Sequence, residues 1–435
     1  MDFDMLGLQP ALTTALARQG ITDPSPIQTK AIPHAMQGRD VMGLAQTGSG
    51  KTLAFGLPIL EALLAEPEKA APKTVRGLVL APTRELARQI TESLGALAEG
   101  TGLRIGLVVG GVSPRGQAQR LARGTDILVA TPGRLIDHLD NKAVRLDATR
   151  FLVLDEADQM LDLGFIHALR RIAPLLPKDR QTMLFSATMP KQMEELSRAY
   201  LTSPVRVEVA PPGQVADRIE QEVHFVEKSD KPKLLAKLLD THRDELALVF
   251  SRTKHGAERL MKGLVAQGFA AASIHGNKSQ GQRDRALNGF RSGEIRVLVA
   301  TDVAARGIDI PEIRHVYNFD LPNVAETYVH RIGRTARAGA SGRAVAFCDA
   351  EEMGDLRAIE KQVKMELDVA GGTPWPDTGR SSGGGRGKPS GKSGGRGNRG
   401  GGNGGGRPAR GAKPASDAPA KRRPRRRKPA ARSAG

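Results

Sequence analysis

The stretch Ala45-Gln46-Thr47-Gly48-Ser49-Gly50-Lys51-Thr52 follows an apolar run, residues 40–44, and precedes a segment with a helical pattern. This order of strand, glycine-rich loop and helix is typical of a phosphate-binding loop. The two glycines allow backbone N–H groups to converge on phosphate oxygens. Lys51 supplies positive charge for the β- and γ-phosphates, and the Thr52 hydroxyl is suited to Mg²⁺. Ala45 replaces the first glycine of the strict pattern, so a chance glycine-rich turn is the alternative to nucleotide binding.

A pair of acids at the end of an apolar run forms the expected second half of such a site. The run Phe151-Leu152-Val153-Leu154 ends in Asp155-Glu156. We expect Asp155 to hold Mg²⁺ and Glu156 to accept a proton from the attacking water. A solvated turn would explain an isolated acidic pair, but it becomes the weaker interpretation beside a phosphate loop.

Short β-branched runs alternate with longer amphipathic segments, and such apolar runs are typical of parallel strands covered on both faces. We therefore predict an α/β fold with parallel sheets. Residues 204–217, which contain Pro211-Pro212-Gly213, break the alternation. This break predicts two domains, residues 1–207 and 220–370, joined by a linker of residues 208–219. The predicted strands are residues 77–81, 105–109, 126–131, 151–155, 181–186, 246–251, 271–275, 296–301, 315–319 and 343–347.

Positive charge is concentrated at the end of the 435-residue chain. The net charge is +18, but residues 381–435 hold 16 Lys and Arg, one acid and 16 Gly. This composition cannot bury apolar surface, so we predict a disordered basic tail over residues 371–435. A nearly neutral folded region followed by a polycationic tail indicates a globular protein that acts on anionic polymers.

The remaining composition limits the compartment and the class of protein. A single cysteine, Cys348, excludes an intrachain disulfide and a cysteine-based metal cluster, and we expect it to be a small buried side chain. No apolar run approaches the ~20 residues of a membrane helix. The first ten residues contain two Asp and no Lys or Arg, unlike a signal peptide. We expect a cytoplasmic protein.

Several motifs together carry a resemblance to a known family. The stretch Asp155-Glu156-Ala157-Asp158 reads D-E-A-D, and with the phosphate loop it resembles the DEAD-box family of ATP-dependent RNA helicases. The resemblance spans roughly residues 3–370 and implies two tandem RecA-like domains. A weaker likeness of residues 275–280 and of the N-terminal lead points to the bacterial RhlE group. The further matching motifs of the first domain, in the family's order, are Pro82-Thr83-Arg84-Glu85-Leu86, Gly110-Gly111, Thr131-Pro132-Gly133-Arg134 and Ser186-Ala187-Thr188.

The resemblance also implies roles for individual residues around ATP. Gln28, in Pro26-Ile27-Gln28, would read the adenine edge through its amide. Ile21 stands where the family usually has Phe or Tyr to stack on the base, and Phe3 resembles the other aromatic of this region. Asp158, Ser186 and Thr188 would couple the ATP side to the RNA side. The implied ATP-binding set is Phe3, Ile21, Gln28, Ala45, Gln46, Thr47, Gly48, Ser49, Gly50, Lys51, Thr52 and Asp309.

A basic motif in the second domain completes the predicted catalytic set. Residues 330–337 place arginines at three-residue spacing, which puts them on one face at a helical start. Opposite a phosphate loop they become candidate arginine fingers, because planar guanidinium donors match phosphate oxygens in the transition state. By resemblance Arg334 and Arg337 would reach the γ-phosphate, with Lys51 and Glu156 as the other catalytic residues. His330 and Arg331 would couple to the first domain.

RNA is the implied partner. By resemblance, both domains would contact its phosphates and 2′-hydroxyls, which carry no base sequence. Because ATP and the fingers lie on different domains, hydrolysis would require closure, and RNA lying across both domains would stabilise it. Bending one strand would separate a short duplex without processive translocation. The implied RNA-binding residues are Arg84, Gly111, Thr131, Arg134, Gly276, Arg283 and Thr301.

Other functions compete with this interpretation. An ATP-dependent RNA clamp that serves as an assembly platform is the first alternative, and intact Glu156, Arg334 and Arg337 count against it. A DNA helicase of the same superfamily is the second. A single-domain metabolic kinase would leave the second α/β domain unexplained. Residues 421–428 also fit a nuclear-localisation pattern, but we favour an RNA-binding arm.

Overall fold

The ten apolar runs predicted as strands all lie in two parallel sheets. The computed structural model describes residues 3–45, 48–66, 68–189, 191–209, 219–305, 308, 310, 312–336 and 341–376. Both sheets belong to one compact unit, and residues 377–435 lie outside the described residues. The predicted α/β fold is therefore confirmed.

The first sheet has seven parallel strands among the described residues. They are β1 (Val41–Leu44), β2 (Val75–Leu80), β3 (Ile105–Val108), β4 (Thr125–Ala130), β5 (Phe151–Leu154), β6 (Gln181–Ser186) and β7 (Val205–Glu208), in the order β3-β4-β2-β5-β6-β1-β7. Successive residues of a strand enter opposite cores: Val153 packs with Phe55 and Phe185, whereas Leu152 and Leu154 pack on the other face. This double burial explains why the strands read as continuous apolar runs.

Helices cover both faces of this sheet. A 3₁₀ turn, Phe3–Leu6, precedes them, and Ala173–Leu175 forms another after the eighth helix. The helices are α1 (Pro10–Arg18), α2 (Pro26–Met36), α3 (Lys51–Leu64), α4 (Arg84–Leu97), α5 (Pro114–Leu121), α6 (Pro132–Asp140), α7 (Ala157–Asp162), α8 (Ile166–Ile172) and α9 (Lys191–Tyr200).

The second sheet repeats the strand order of the first. In the described residues its strands are β8 (Ile219–Phe225), β9 (Leu246–Phe250), β10 (Ala271–Ile274), β11 (Val297–Ala300), β12 (Ile313–Asn318), β13 (Gly342–Cys348) and β14 (Asp368–Gly371). Their order, β10-β11-β9-β12-β13-β8-β14, matches that of the first sheet position for position. The helices are α10 (Lys231–Asp240), α11 (Lys254–Ala266), α12 (Gln280–Arg291), α13 (Asp302–Ala305), α14 (Ala325–Ile332) and α15 (Met353–Val363), with a 3₁₀ turn at Ala350–Glu352.

Two predicted boundaries need comment. The break assigned to residues 204–217 was wrong at its start, because β7 (Val205–Glu208) pairs in parallel with β1. Residues 210–218 lie outside the described residues, so the linker itself stays a prediction. At the other end, the predicted tail began at residue 371, yet β14 ends there and the Trp375 indole donates to the Cys348 carbonyl at 3.2 Å. The folded part therefore includes residues up to 376.

Two smaller expectations concern Cys348 and the membrane. Cys348 is fully buried, as predicted, and burial, followed by the nearby Glu352 carboxylate, raises the pKa of its thiol to about 12. Within the described part of the chain, every helix is too short or too polar to cross a bilayer.

Candidate functional site

The phosphate loop lies at the carboxyl end of β1, beside β6 and near β5 in the sheet. Gly50 adopts φ 94° in the left-handed region and precedes the first turn of α3, which contains Lys51 and Thr52. Lys51 is buried, and its Nζ donates to the Ala45 carbonyl at 3.1 Å. Backbone N–H groups at such a helix start attract anions. Gly48 and Ser49 belong to the described loop, whereas Gln46 and Thr47 lie outside the described residues.

Gln28 is bound to this loop. Its Nε2 donates to the Gly50 carbonyl at 2.9 Å, and its Oε1 accepts from the Ser25 N–H at 2.9 Å. A Cβ at Gly50 would lie 2.5 Å from Gln28 Nε2 on a backbone with φ 94°, so a larger residue would be strained there and would displace the Gln28 amide. Each end of the amide keeps one further donor or acceptor for a base edge. The predicted adenine contact thus acquires a second task, which is to fix the phosphate loop.

The two hydrophobic residues assigned to the base differ in exposure. Ile21 is half-buried and packs against the first core. Phe3 is 3 % exposed and belongs to that core. The ring of Phe3 is enclosed by apolar side chains, which gives it a packing role, and its predicted contact with the nucleotide stays a prediction.

Asp155 and Glu156 occupy a closed position at the end of β5. Both residues are 2 % exposed. Burial raises the pKa of Asp155 to about 7, against the lowering effect of the Lys51 ammonium and with a smaller rise from Glu156. Glu156 adopts φ 51°, and its two carboxylate oxygens have no hydrogen-bond partner among the described residues. Orphaned buried oxygens are costly unless a ligand satisfies them.

These donors fit Mg²⁺. The ion prefers hard oxygen ligands, and one or two carboxylates with substrate phosphates usually supply them. The Asp155 carboxylate and the Thr52 hydroxyl are oxygen donors that follow β5 and β1, two strands of the same sheet that β6 separates. A cation there would also remove the cost of burying the Asp155 charge.

The three predicted coupling residues of the first domain form one hydrogen-bonded group. Asp158 Oδ2 accepts from the Ala187 N–H at 3.0 Å, the Thr188 N–H at 2.9 Å and Thr188 Oγ1 at 3.0 Å. The Ser186 hydroxyl donates to the Thr188 carbonyl at 2.7 Å. The structure thus ties the D-E-A-D turn to the end of β6.

Arg331 is held inside the second domain. Its Nε and Nη2 donate to Asp302 at 2.6 and 2.9 Å, and its Nη1 donates to Asn318 Oδ1 at 3.0 Å and to the Asp320 carbonyl at 2.7 Å. Its guanidinium also lies 4.9 Å from the Phe250 ring centre. All these partners belong to the second domain, so Arg331 organises that domain, and its predicted coupling to the first domain stays a prediction.

Arg334 and His330 line a small cavity between the two domains. It is walled by Gln159 and Asp162 of α7 and by Asp302, His330, Arg331 and Arg334 of the second domain. Arg334 is 2 % exposed, and its Nη1 donates to the Ile308 carbonyl at 2.8 Å. The predicted finger therefore lies beside the helix that follows the D-E-A-D turn. Arg337 and Asp309 lie outside the described residues.

A second cavity, of about 530 Å³, brings together six of the seven predicted RNA-binding residues. They come from both domains, and Thr301 is the one that does not line it. Gly111 adopts φ 78°, which strains other residues, and a Cβ there would also lie 2.0 Å from Arg84 Nη1 and displace the guanidinium. The six are Arg84, Gly111, Thr131, Arg134, Gly276 and Arg283.

The arginines of this cavity are oriented by fixed acceptors. Arg84 Nη1 donates across the domain boundary to Gln280 Oε1 at 2.9 Å. Arg283 Nη2 pairs with Glu85 at 3.0 Å, also across the boundary. Arg134 Nη1 donates to the Val112 carbonyl at 2.9 Å. Guanidinium groups held in this way present their remaining donors to an anionic strand.

Comparison with known proteins agrees with this arrangement. The DEAD/DEAH box helicase model matches residues 25–196, and the helicase conserved C-terminal domain model matches residues 230–339. The DEAD-box ATP-dependent RNA helicase CshA of Bacillus cereus is 43 % identical over 366 residues, which cover 84 % of this chain and 69 % of that protein. The chain belongs to the DEAD-box family of ATP-dependent RNA helicases.

Solved structures extend the likeness to both domains of this DEAD-box helicase. Saccharomyces cerevisiae Dbp5 bound to RNA and ADP BeF3 matches with a TM-score of 0.76 and 33 % identity, over 85 % of this chain and 95 % of that one. Mss116p bound to ssRNA and AMP-PNP also gives 0.76, at 27 % identity over 85 % and 78 %. The tandem RecA-like fold and the ATPase class are therefore established, while the RhlE likeness stays a prediction.

Several residues of the helicase sites were missing from the sequence prediction. Lys278, Gln280, Phe165 and Val303 line the large cavity. Gln280 precedes Arg283 by three residues, so helical spacing could have placed it on the same face. Phe165 belongs to no quoted motif, and only the fold brings it to this cavity.

Proposed function

We propose that this DEAD-box helicase couples ATP hydrolysis to local, non-processive unwinding and remodelling of RNA duplexes and RNA–protein complexes. The observation that carries the proposal is the 530 Å³ cavity, which six predicted RNA-binding residues from both domains line together. A strand lying in it would contact both domains at once and favour their closure.

The first domain would bind and activate ATP. The start of α3 and Lys51 would bind the phosphates, and Gln28 would read the adenine edge while it holds Gly50. Mg²⁺, held by the Thr52 hydroxyl and the Asp155 carboxylate, would neutralise charge on the phosphate oxygens. Glu156 would accept a proton from the water that attacks the γ-phosphorus, as the bond to the β-phosphate oxygen breaks to give ADP and phosphate.

The second domain would complete the catalytic site. Arg334, with Arg337, would stabilise the negative charge that develops on the transferred phosphoryl group. The Asp302–Arg331 ion pair lines the small cavity that also contains Arg334, and it supports this role by fixing α14. Because these arginines and the phosphate loop belong to different domains, hydrolysis depends on closure.

RNA binding would depend little on base sequence. The cavity offers guanidinium groups, backbone and a threonine hydroxyl, which suit phosphates and 2′-hydroxyls. A strand bent to fit both domains would lose base pairs only along the length it covers. This geometry supports the proposal of non-processive unwinding.

Strand displacement from two duplexes tests the proposal. With ATP, we expect a short duplex to be separated and a duplex several times longer to stay largely intact, and single-stranded RNA to stimulate ATP hydrolysis. Equal displacement of both duplexes would indicate translocation. ATP-dependent RNA retention without displacement would indicate the clamp instead.

Two further parts of the account stay proposals. The basic segment that follows residue 376 would tether RNA, and its charge supports this idea. A cytoplasmic location also stays a proposal. Protein partners in ribosome assembly or RNA decay are not identified by any contact in the described residues.

A further inference from the structure

Helices α4 and α12 face each other across the domain boundary. Arg84 donates to Gln280, and Gln280 Nε2 donates to Glu85 at 3.3 Å. One turn farther along both helices, Arg88 Nη1 lies 2.7 Å from Asp284 Oδ1. Both pairs follow the same i, i+4 spacing, so they stack as two rungs between the helices.

The second rung lies outside the RNA cavity. Arg84 and Gln280 line that cavity, whereas Arg88 and Asp284 line a different one of about 160 Å³. The Arg88 and Asp284 side chains are 35 % and 30 % exposed, which makes this a partly buried ion pair. It can therefore act on domain closure without contact to RNA or ATP.

Asp284 also reaches the first rung. Its Oδ1 accepts from Gln280 Nε2 at 2.9 Å, so one carboxylate orients the amide that receives Arg84. Burial would raise the pKa of Asp284, but the hydrogen bonds from Arg88 and Gln280 outweigh it and lower the pKa. The carboxylate is thus charged at neutral pH and available to Arg88.

Charged side chains make up about half of the residues around the second rung, and Leu287, Ile308 and Ile310 are the apolar ones. Glu85, Glu92 and Arg291 line the small cavity beside Arg88 and Asp284. A polar interface of this kind separates more readily than an apolar one, which suits domains that open and close. A single ion pair can then change the balance between the two states.

We propose that Arg88 and Asp284 form a positioning pair that sets the free energy of domain closure in this helicase. This inference rests on the proposed closure mechanism and assigns it two residues outside the family motifs identified in the sequence. Losing the pair lowers the closed population, so more RNA is needed to reach it, while saturating RNA restores full turnover.

Charge exchange gives the sharpest test. We would measure RNA-stimulated ATPase with single-stranded RNA for the full chain carrying Arg88→Glu, Asp284→Lys or both. Each single change should raise the RNA concentration for half-maximal rate by about two- to fivefold, as expected for a partly exposed pair. The double exchange should recover at least half of that loss, and turnover at saturating RNA should stay close to wild type.

Milder variants and a matched control complete the design. The double variant Arg88→Gln with Asp284→Asn should raise the half-maximal RNA concentration by less than the combined effect of the two single changes. Arg285→Glu is the control, because it changes the same charge on the same helix. Arg285 lines neither the RNA cavity nor the 160 Å³ cavity beside Arg88 and Asp284. Its Nε donates to the Gly281 carbonyl of its own helix. It should change the half-maximal RNA concentration less than Arg88→Glu does. Thermal unfolding of each variant would show that the fold is kept.

Energy transfer between two dyes would report closure directly, with one cysteine introduced at the surface of each domain to carry a dye. The native Cys348 is buried, so the dyes would react with the introduced cysteines. Arg88→Glu should require more RNA for the closed signal at saturating ATP analogue. The proposal would be overturned if the effects of the two single changes added up in the double exchange. It would also be overturned if Arg285→Glu raised the half-maximal RNA concentration as much as Arg88→Glu does. A wild-type protein with no RNA stimulation would instead overturn the proposed function.

Discussion

The backbone N–H of Glu156 donates to Oδ1 of Asp155 at 3.0 Å. This hydrogen bond gives the Asp155 carboxylate an environment that the adjacent Glu156 carboxylate does not share. Asp155 has that donor and the nearby charge of Lys51. The Glu156 oxygens are buried and have no partner among the described residues. The held carboxylate is therefore suited to a cation, and the unpartnered one is suited to accept a proton.

Glu156→Gln should abolish ATP hydrolysis while ATP and RNA binding remain. The amide has nearly the same shape, but it cannot accept the proton of the attacking water. Single-turnover hydrolysis and nucleotide affinity, measured on the same preparation, would check this. A rate within about twofold of wild type, against the ~10²-fold or greater loss expected for a general base, would exclude that role.

Arg334→Ala should lower turnover by about 10³- to 10⁵-fold, as for other arginine fingers, with a much smaller change in ATP affinity. Arg334→Lys is the matched control, because it keeps the charge and loses the planar fork. The turnover of the lysine variant should remain well below that of the wild type. Turnover unchanged in the alanine variant would place the finger elsewhere.

Asp155→Asn should stabilise the nucleotide-free protein more at pH 8 than at pH 5. Burial raises the pKa of Asp155 in the folded state, so the folded protein keeps a proton that the unfolded chain has released. Stability is then lost as pH rises from the unfolded pKa toward about 7, and Asn removes this loss. Thermal unfolding without Mg²⁺ at both pH values measures it. An increment that is larger at pH 5 would contradict the assignment.

Deleting residues 381–435 should raise the RNA concentration for half-maximal ATPase and flatten its dependence on salt. Each phosphate contact on single strands contributes about 0.7 to the slope of log affinity against log salt. Turnover at saturating RNA should change little. A tail with its Lys and Arg replaced by Gln is the matched control and should behave like the deletion. Superimposable curves for deletion and wild type would refute the tether.

Much of this molecule could be predicted from local patterns. Buried parallel strands read as apolar runs, so all ten predicted strands were found. Strand β7 was missed because it is an edge strand with alternating exposure, and prolines and a glycine follow it closely. The phosphate loop and the D-E-A-D turn were visible because their chemistry requires contiguous residues.

The rest of the site depends on contacts between distant residues. Gln28 binds Gly50 across 22 positions, and Arg331 is enclosed by Asp302 and Asn318. Neither partner follows from spacing, because tertiary packing brings them together. The same limit applies to Arg88 and Asp284, which are 196 positions apart and lie outside every quoted motif.

The central claim is that ATP and RNA favour the same closed arrangement of the two domains. Its most direct measurement is the affinity of the full chain for fluorescent single-stranded RNA, with and without a non-hydrolysable ATP analogue and Mg²⁺. Reciprocal coupling predicts that the analogue tightens RNA binding by about 5- to 150-fold, and that RNA tightens the analogue by the same factor. Equal RNA affinity in the two conditions would contradict the account.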